Sequence, residues 1–270
     1  MSATDRPQTL DPGEGLTESS VRLADGRRIR TVVAGGGTGP LVAFEAGMTA
    51  SAWEWLVVQR AVSAHARTLA YDRSGYAGSD DDPQPRTLER MADDLGGVLD
   101  AVGETCPVIL VAHSWGAPIV RAFAHHHPAR VAGVVLVDGS LAAITAVRKQ
   151  VVLGGISFRI TALLARLGVR RALVRLVLPR GFAPEYLPDD IAVTVRDYVS
   201  PRAMRTGLRE MEEVLAVRPA LEVWEREGLP DVPVVALQGG RIENGEAPRA
   251  FREEFNREAE RVLAGNPADG

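Results

Sequence analysis

Apolar residues gather in five near-continuous runs: LVAFEAG (Leu41–Gly47), RTLAYDR (Arg67–Arg73), PVILVAHS (Pro107–Ser114), VAGVVLVDGS (Val131–Ser140) and VPVVALQGG (Val232–Gly240). Short runs without polar alternation predict parallel strands covered on both faces. Between the first four runs lie Ser51–His65, Thr87–Val102 and Trp115–His126, whose apolar residues recur at helical spacing. Ahead of them, Ser20–Gly35 reads as two strand-like runs around Asp25-Gly26, the pattern of a hairpin. Strand alternating with helix predicts an α/β domain with a doubly wound, mostly parallel sheet.

The alternation stops at Leu141. From there to Leu229 no run reads as a strand, and helical stretches are cut by Pro179, Pro184, Pro188, Pro201 and Pro219. A wholly helical insertion after the sixth strand predicts a lid over the active edge of the sheet. The expected organisation is a flexible leader over 1–18, a core made of 19–140 and 230–270, and a lid over 141–229. The Arg-studded piece Val147–Arg180 reads as lid surface with snorkelling side chains rather than as a membrane-surface helix.

Composition narrows the function classes. Of 270 residues, 46% are hydrophobic and 24% charged, ordinary for a globular chain. A net charge of -4, without a basic patch, argues against nucleic acid. The single cysteine, Cys106, excludes a disulfide framework and a thiolate metal site, and beside Pro107 it reads as a small buried residue. GGGTGP (Gly35–Pro40) lacks the Lys-Ser/Thr of a phosphate loop. The N-terminus has no signal-peptide core, and no run approaches the ~18 apolar residues of a membrane span. These readings predict a cytoplasmic protein that takes a small-molecule substrate, needs no cofactor or metal, and has no nucleic-acid or membrane partner.

Candidate chemistry centres on Ala112-His113-Ser114-Trp115-Gly116, where a buried strand hands over to a helix. A serine at such a corner projects its hydroxyl from the sheet edge, and small residues two positions either side let strand and helix pass closely. The helix N-terminus favours the negative charge that develops in acyl transfer. With AYDRSGYAGSD (Ala70–Asp80) and VAGVVLVDGS in the same order, the chain resembles the α/β-hydrolase fold superfamily, in its lidded bacterial serine hydrolases. Ala112 stands where that pattern usually has glycine. The resemblance covers nearly everything from Ser20 onward. It implies an oxyanion hole from the backbone N–H groups of Met48, in FEAGMTASAW (Phe44–Trp53), and Trp115, which would narrow the pocket. Serine at the elbow also argues against epoxide hydrolase chemistry, since those relatives carry aspartate there.

The acid is expected at Asp138, which ends the sixth strand, with Glu243 as the alternative. Asp72 reads as a structural loop residue. A base is harder to find. His113 precedes Ser114, so strand alternation turns it away. His125, His126 and His127 close the following helix, and His65 belongs to the opposite end of a strand. A general base must come within about 3 Å of the proton that it takes, or reach it through one water. In relatives the histidine follows an eighth strand, and this sequence stops after the helix expected at Ala247–Leu263. The sequence therefore predicts a serine hydrolase for esters, lactones or thioesters, either a truncated copy, impaired in turnover and with marginal stability or self-association, or a natural variant that works without the base. A non-catalytic small-ligand-binding protein on the same fold is the alternative.

Overall fold

The computed structural model describes residues 15–139, 148–166, 188–198, 200–239, 253, 256–257 and 259–264. Strands β1 (Leu16–Arg22) and β2 (Arg28–Ala34) pair antiparallel around the Asp25-Gly26 turn, and β1 starts inside the segment expected to be leader. The remaining strands are β3 (Val42–Glu45), β4 (Thr68–Tyr71), β5 (Val108–His113), β6 (Val131–Val137) and β7 (Val234–Leu237). They form one sheet in the order β1-β2-β4-β3-β5-β6-β7. From β4 to β7 every neighbouring pair is parallel, whereas β2 meets β4 antiparallel. The apolar runs become strands because both faces are covered: all four residues of β3 and of β4 are buried.

On one face lie helices α2 (Leu88–Ala101) and α3 (Gly116–His126), where Leu95, Leu99, Leu110, Ile119 and Phe123 form the main core. On the other, a short 3-10 turn (Ala52–Trp55) leads into α1 (Leu56–Ser63), and Phe44, Trp53, Trp55 and Leu56 form a second core. Thr87 caps α2 by accepting the Arg90 N–H at 3.3 Å. Cys106 is exposed, against expectation, because it lies in the connection before β5 and not in the strand.

Among the described residues between β6 and β7 there are helices and no strand: α4 (Arg148–Arg166), α5 (Pro188–Tyr198), α6 (Pro201–Ala216) and α7 (Arg218–Glu227). Helix α6 starts with Ser200 accepting the Ala203 N–H at 3.0 Å and with Pro201 in its first turn, where a missing N–H costs nothing. Its polar side chains grip the loop after β4. Arg202 donates to the Ala77 carbonyl at 2.8 Å, Thr206 to that of Gly75 at 2.9 Å, and Arg209 to that of Asp82 at 2.7 Å. Helix α5 is held by Thr194 donating to the Trp53 carbonyl at 3.1 Å and by ion pairs Asp190–Arg60 and Asp197–Arg30.

Candidate active site

Three strand ends lie side by side at the carboxyl edge of the sheet. β3 runs into Ala46-Gly47-Met48, β5 into His113-Ser114, and β6 into Asp138. This is the place where the crossover connections of an open α/β sheet leave room for a ligand. Ser114 is half-buried and has φ of 48°, a left-handed backbone that a non-glycine residue rarely adopts. That bend turns the chain from β5 into α3. It is fixed by the Ser114 N–H, which donates to the Val137 carbonyl at 3.2 Å. Gly116 permits the close approach: a Cβ there would lie 2.6 Å from the Glu45 carbonyl oxygen. Trp115 and Gly116 open α3, so their N–H groups belong to the unpaired first turn.

The Met48 loop is held by its carbonyls. Arg73, buried, donates to the Ala46 oxygen at 2.6 Å and to the Gly47 oxygen at 2.9 Å. A trans peptide directs its N–H opposite to its C=O, so the Gly47 grip turns the Met48 N–H away from Arg73. The Ala46 grip does the same for the Gly47 N–H, which donates to Glu54 Oε2 at 2.8 Å. The Tyr76 hydroxyl accepts from Thr49 N–H at 3.3 Å, and Thr49 has φ of 65°. Among the described residues, neither the Met48 N–H, the Trp115 N–H nor the Ser114 hydroxyl has a hydrogen-bond partner. The Trp115 indole is 2% exposed and packed in the main core, which differs from the expected pocket-narrowing position. Half-buried Met48 packs against the same cluster.

Asp138 has φ of 42°, and its Oδ1 accepts the Gly239 N–H at 2.9 Å while its own N–H donates to the Leu237 carbonyl at 2.8 Å. The carboxylate thus ties the end of β6 to the end of β7. Glu243 lies outside the described residues. Asp72 is fully buried and accepts from Ala52 N–H at 2.8 Å and Gly78 N–H at 2.9 Å, the structural role read from its loop.

All five histidines are described, and none is hydrogen-bonded to Ser114. His113 faces away, with Nδ1 2.9 Å from Glu54 Oε1. His65, His125 and His126 are exposed, and His125 lies 3.5 Å from Glu227. Burial opposes the His113 imidazolium, but the charge and hydrogen bond of Glu54, helped by Asp138, outweigh it and raise the pKa above its ordinary value.

Behind the Met48 loop is a buried ionic network that the sequence did not reveal. Arg73 bonds Glu45 Oε1 at 2.6 Å and both oxygens of Glu210 from α6, at 3.1 and 3.0 Å. Tyr71 donates to Glu45 and Tyr76 to Glu210. Arg73 and Glu210 are 137 positions apart, so no local pattern signals the pair. Glu54 left a faint signal, one carboxylate between the two buried tryptophans Trp53 and Trp55. A separate surface cavity of about 580 Å³ is lined by Asp25, Arg27, Pro85 and Arg90, away from these strand ends. Among the described residues no cluster of ligating side chains fits a metal ion, and no helix is long and apolar enough to cross a membrane.

The sequence profile of the alpha/beta hydrolase family matches residues 32–266. The protein named "Probable transporter efuK" from Hormonema carpetanum is 29% identical over 248 residues, 85% of this chain and 31% of its own length. Epoxide hydrolase 3 of Mus musculus is 30% identical over 118 residues, 43% of this chain and 32% of its own length. The chain thus matches about a third of the length of these two relatives. A thermophilic esterase from Thermogutta terrifontis shares the fold with a TM-score of 0.63 at 20% identity, covering 93% of this chain and 87% of that one.

Proposed function

The chain belongs to the alpha/beta hydrolase family, and from that premise we propose that it is a serine hydrolase for carboxylic esters, lactones or thioesters, with Ser114 as nucleophile. The observation that carries this reading is the Ser114 backbone, bent to φ of 48° between β5 and α3 at the carboxyl edge of the sheet. Backbone strain of this kind gathers at functional sites and costs about 1–3 kcal/mol elsewhere in the fold's stability. In the proposed reaction the Ser114 oxygen attacks the acyl carbon as its proton passes to water and the carbonyl electrons move onto oxygen. The oxyanion then collapses and expels the alkoxide, thiolate or ring oxygen, which takes a proton from water, and water hydrolyses the acyl-serine. The Met48 and Trp115 N–H groups hold that oxyanion, and the helical insertion covers the substrate. Asp138 is the acid that would orient an imidazole.

The mouse epoxide hydrolase and the esterase support hydrolytic chemistry at this fold's edge, and serine at the elbow favours acyl transfer over epoxide opening. None of the five histidines of this sequence is hydrogen-bonded to Ser114 in the structure. Loss of the base from a serine triad costs roughly six orders of magnitude. The same observation favours the second reading, a small-ligand-binding protein without chemistry. A fluorophosphonate probe separates the two: the hydrolase reading expects covalent labelling at Ser114 that disappears in Ser114→Ala. Labelling unchanged in Ser114→Ala, or tight ligand binding with no labelling at all, overturns it.

A further inference from the structure

Glu54 takes no part in the reaction as proposed, yet its two oxygens touch both loops that supply the amides. Oε2 accepts the N–H of Gly47, the residue before Met48, at 2.8 Å. Oε1 meets Nδ1 of His113, the residue before Ser114 and two before Trp115, at 2.9 Å. We propose that Glu54 is a positioning residue that fixes the spacing between the Met48 and Trp115 N–H groups, a role that rests on the serine-hydrolase reading and deepens it.

Three further observations bear on this role. Glu54 is itself rigidly placed, since Trp53 and Trp55 on either side are 2% and 5% exposed and its N–H donates to the Ser51 carbonyl at 3.0 Å. The imidazole seats directly on the loop: a Cβ at position 47 would lie 3.0 Å from His113 Nδ1 and 3.5 Å from Glu54 Oε1, close enough to push the imidazole aside by a few tenths of an ångström. Arg73 grips the opposite side of the same peptides, and the loop is therefore clamped between a cation on its carbonyls and an anion on its N–H. One carboxylate serving two loops sets their separation, and a displacement of ~1 Å at a reacting centre can cost about 10²-fold in rate.

Among the described residues, the charged and titratable groups facing the pair include Asp138 at the end of β6 and Tyr198 of α5, which bonds Thr49 and lies near Glu54. Because the His113 pKa is raised, the stability that its pairing adds is complete below the ordinary imidazole value of about 6.5 and is lost as pH rises through the folded value.

The test compares Glu54→Ala and Glu54→Gln with wild type. Fluorophosphonate labelling of Ser114 should slow about 10²-fold in Glu54→Ala, the low end for losing an oxyanion donor. In Glu54→Gln the amide can still accept the Gly47 N–H and donate to neutral His113, so labelling should recover at alkaline pH and fall where His113 is protonated. By NMR, the His113 pKa should drop in Glu54→Gln, and Gly47 amide exchange should quicken at least about tenfold in Glu54→Ala while the far-ultraviolet spectrum stays unchanged. Unchanged Gly47 exchange and His113 titration overturn the clamp, as does wild-type labelling of folded Glu54→Ala. Wild type that resists labelling, with the NMR changes present, sinks the hydrolase reading and with it the clamp's catalytic purpose.

Discussion

Residue 116 shows how narrowly the elbow is built. The Cβ of an alanine there would meet the Glu45 carbonyl oxygen at 2.6 Å, the Glu45 Cγ at 2.9 Å and the Ala46 oxygen at 3.0 Å. Two of these neighbours are backbone and cannot swing aside. Gly116→Ala should therefore cost about 1–3 kcal/mol, the range for overpacking, read as a lower urea midpoint at unchanged slope. It should also push α3 from β3 and slow labelling of Ser114. The need for small residues at 112 and 116 was legible in the sequence, since strand and helix cross there; Ala112 is fully buried and suffices. Equally legible was that His113 faces away from Ser114, because strand alternation is a local rule. Its partner Glu54 was not, since 59 positions separate them and only the fold of the β3 loop joins them.

At the scale of an element, α6 is fastened to the core by a charge. Burial alone would push the Glu210 carboxyl up, but the guanidiniums of Arg73 and Arg86 more than offset it, so its pKa lies below the ordinary carboxylate range. Stability from this pairing is present above about pH 4.3, the unfolded glutamate value, and is lost as pH falls through the lower folded value. Glu45 acts in the opposite sense, because burial outweighs the attraction of Arg73 and holds its carboxyl up. Protection of the α6 amides, corrected for the intrinsic pH dependence of exchange, should accordingly fall on acidification in wild type and fall less in Glu210→Gln. Removing one partner of a buried pair costs about 3–5 kcal/mol, so Glu210→Ala should lower the urea midpoint strongly at neutral pH. Helical stretches were expected in this region from the sequence, but Pro201, read there as a break, opens α6 in its first turn. The anchor of α6 was not legible, because an ion pair between a loop after β4 and a distant helix leaves no periodic trace.

The whole molecule has one edge of concern. Among the described residues β7 is the last strand beyond β6, and Val235 and Leu237 on it are 47% and 51% exposed. Exposed apolar side chains on the last described strand of a sheet favour association with another chain. Light scattering should show mass rising with concentration, and Leu237→Lys should suppress the rise by placing charge on the edge. A monomer at every concentration would dismiss this expectation. The reading of an α/β chain from the alternation of strand-like and helical runs needs no revision at this scale, while the exposure of Cys106 shows that a single residue at an element boundary was misjudged.

The amino-acid order alone determined the alternation of strands and helices, the hairpin, the helical insertion and the serine corner. Each is written in short-range periodicity or turn chemistry, within reach of a few residues. The tertiary structure alone decided which strand ends stand together, which way the Met48 amide points, and which buried charges meet. Those outcomes depend on connections that bring into contact residues such as Glu54 and His113, 59 positions apart, and Arg73 and Glu210, 137 positions apart, and close contact in a desolvated interior is what gives such charges their leverage.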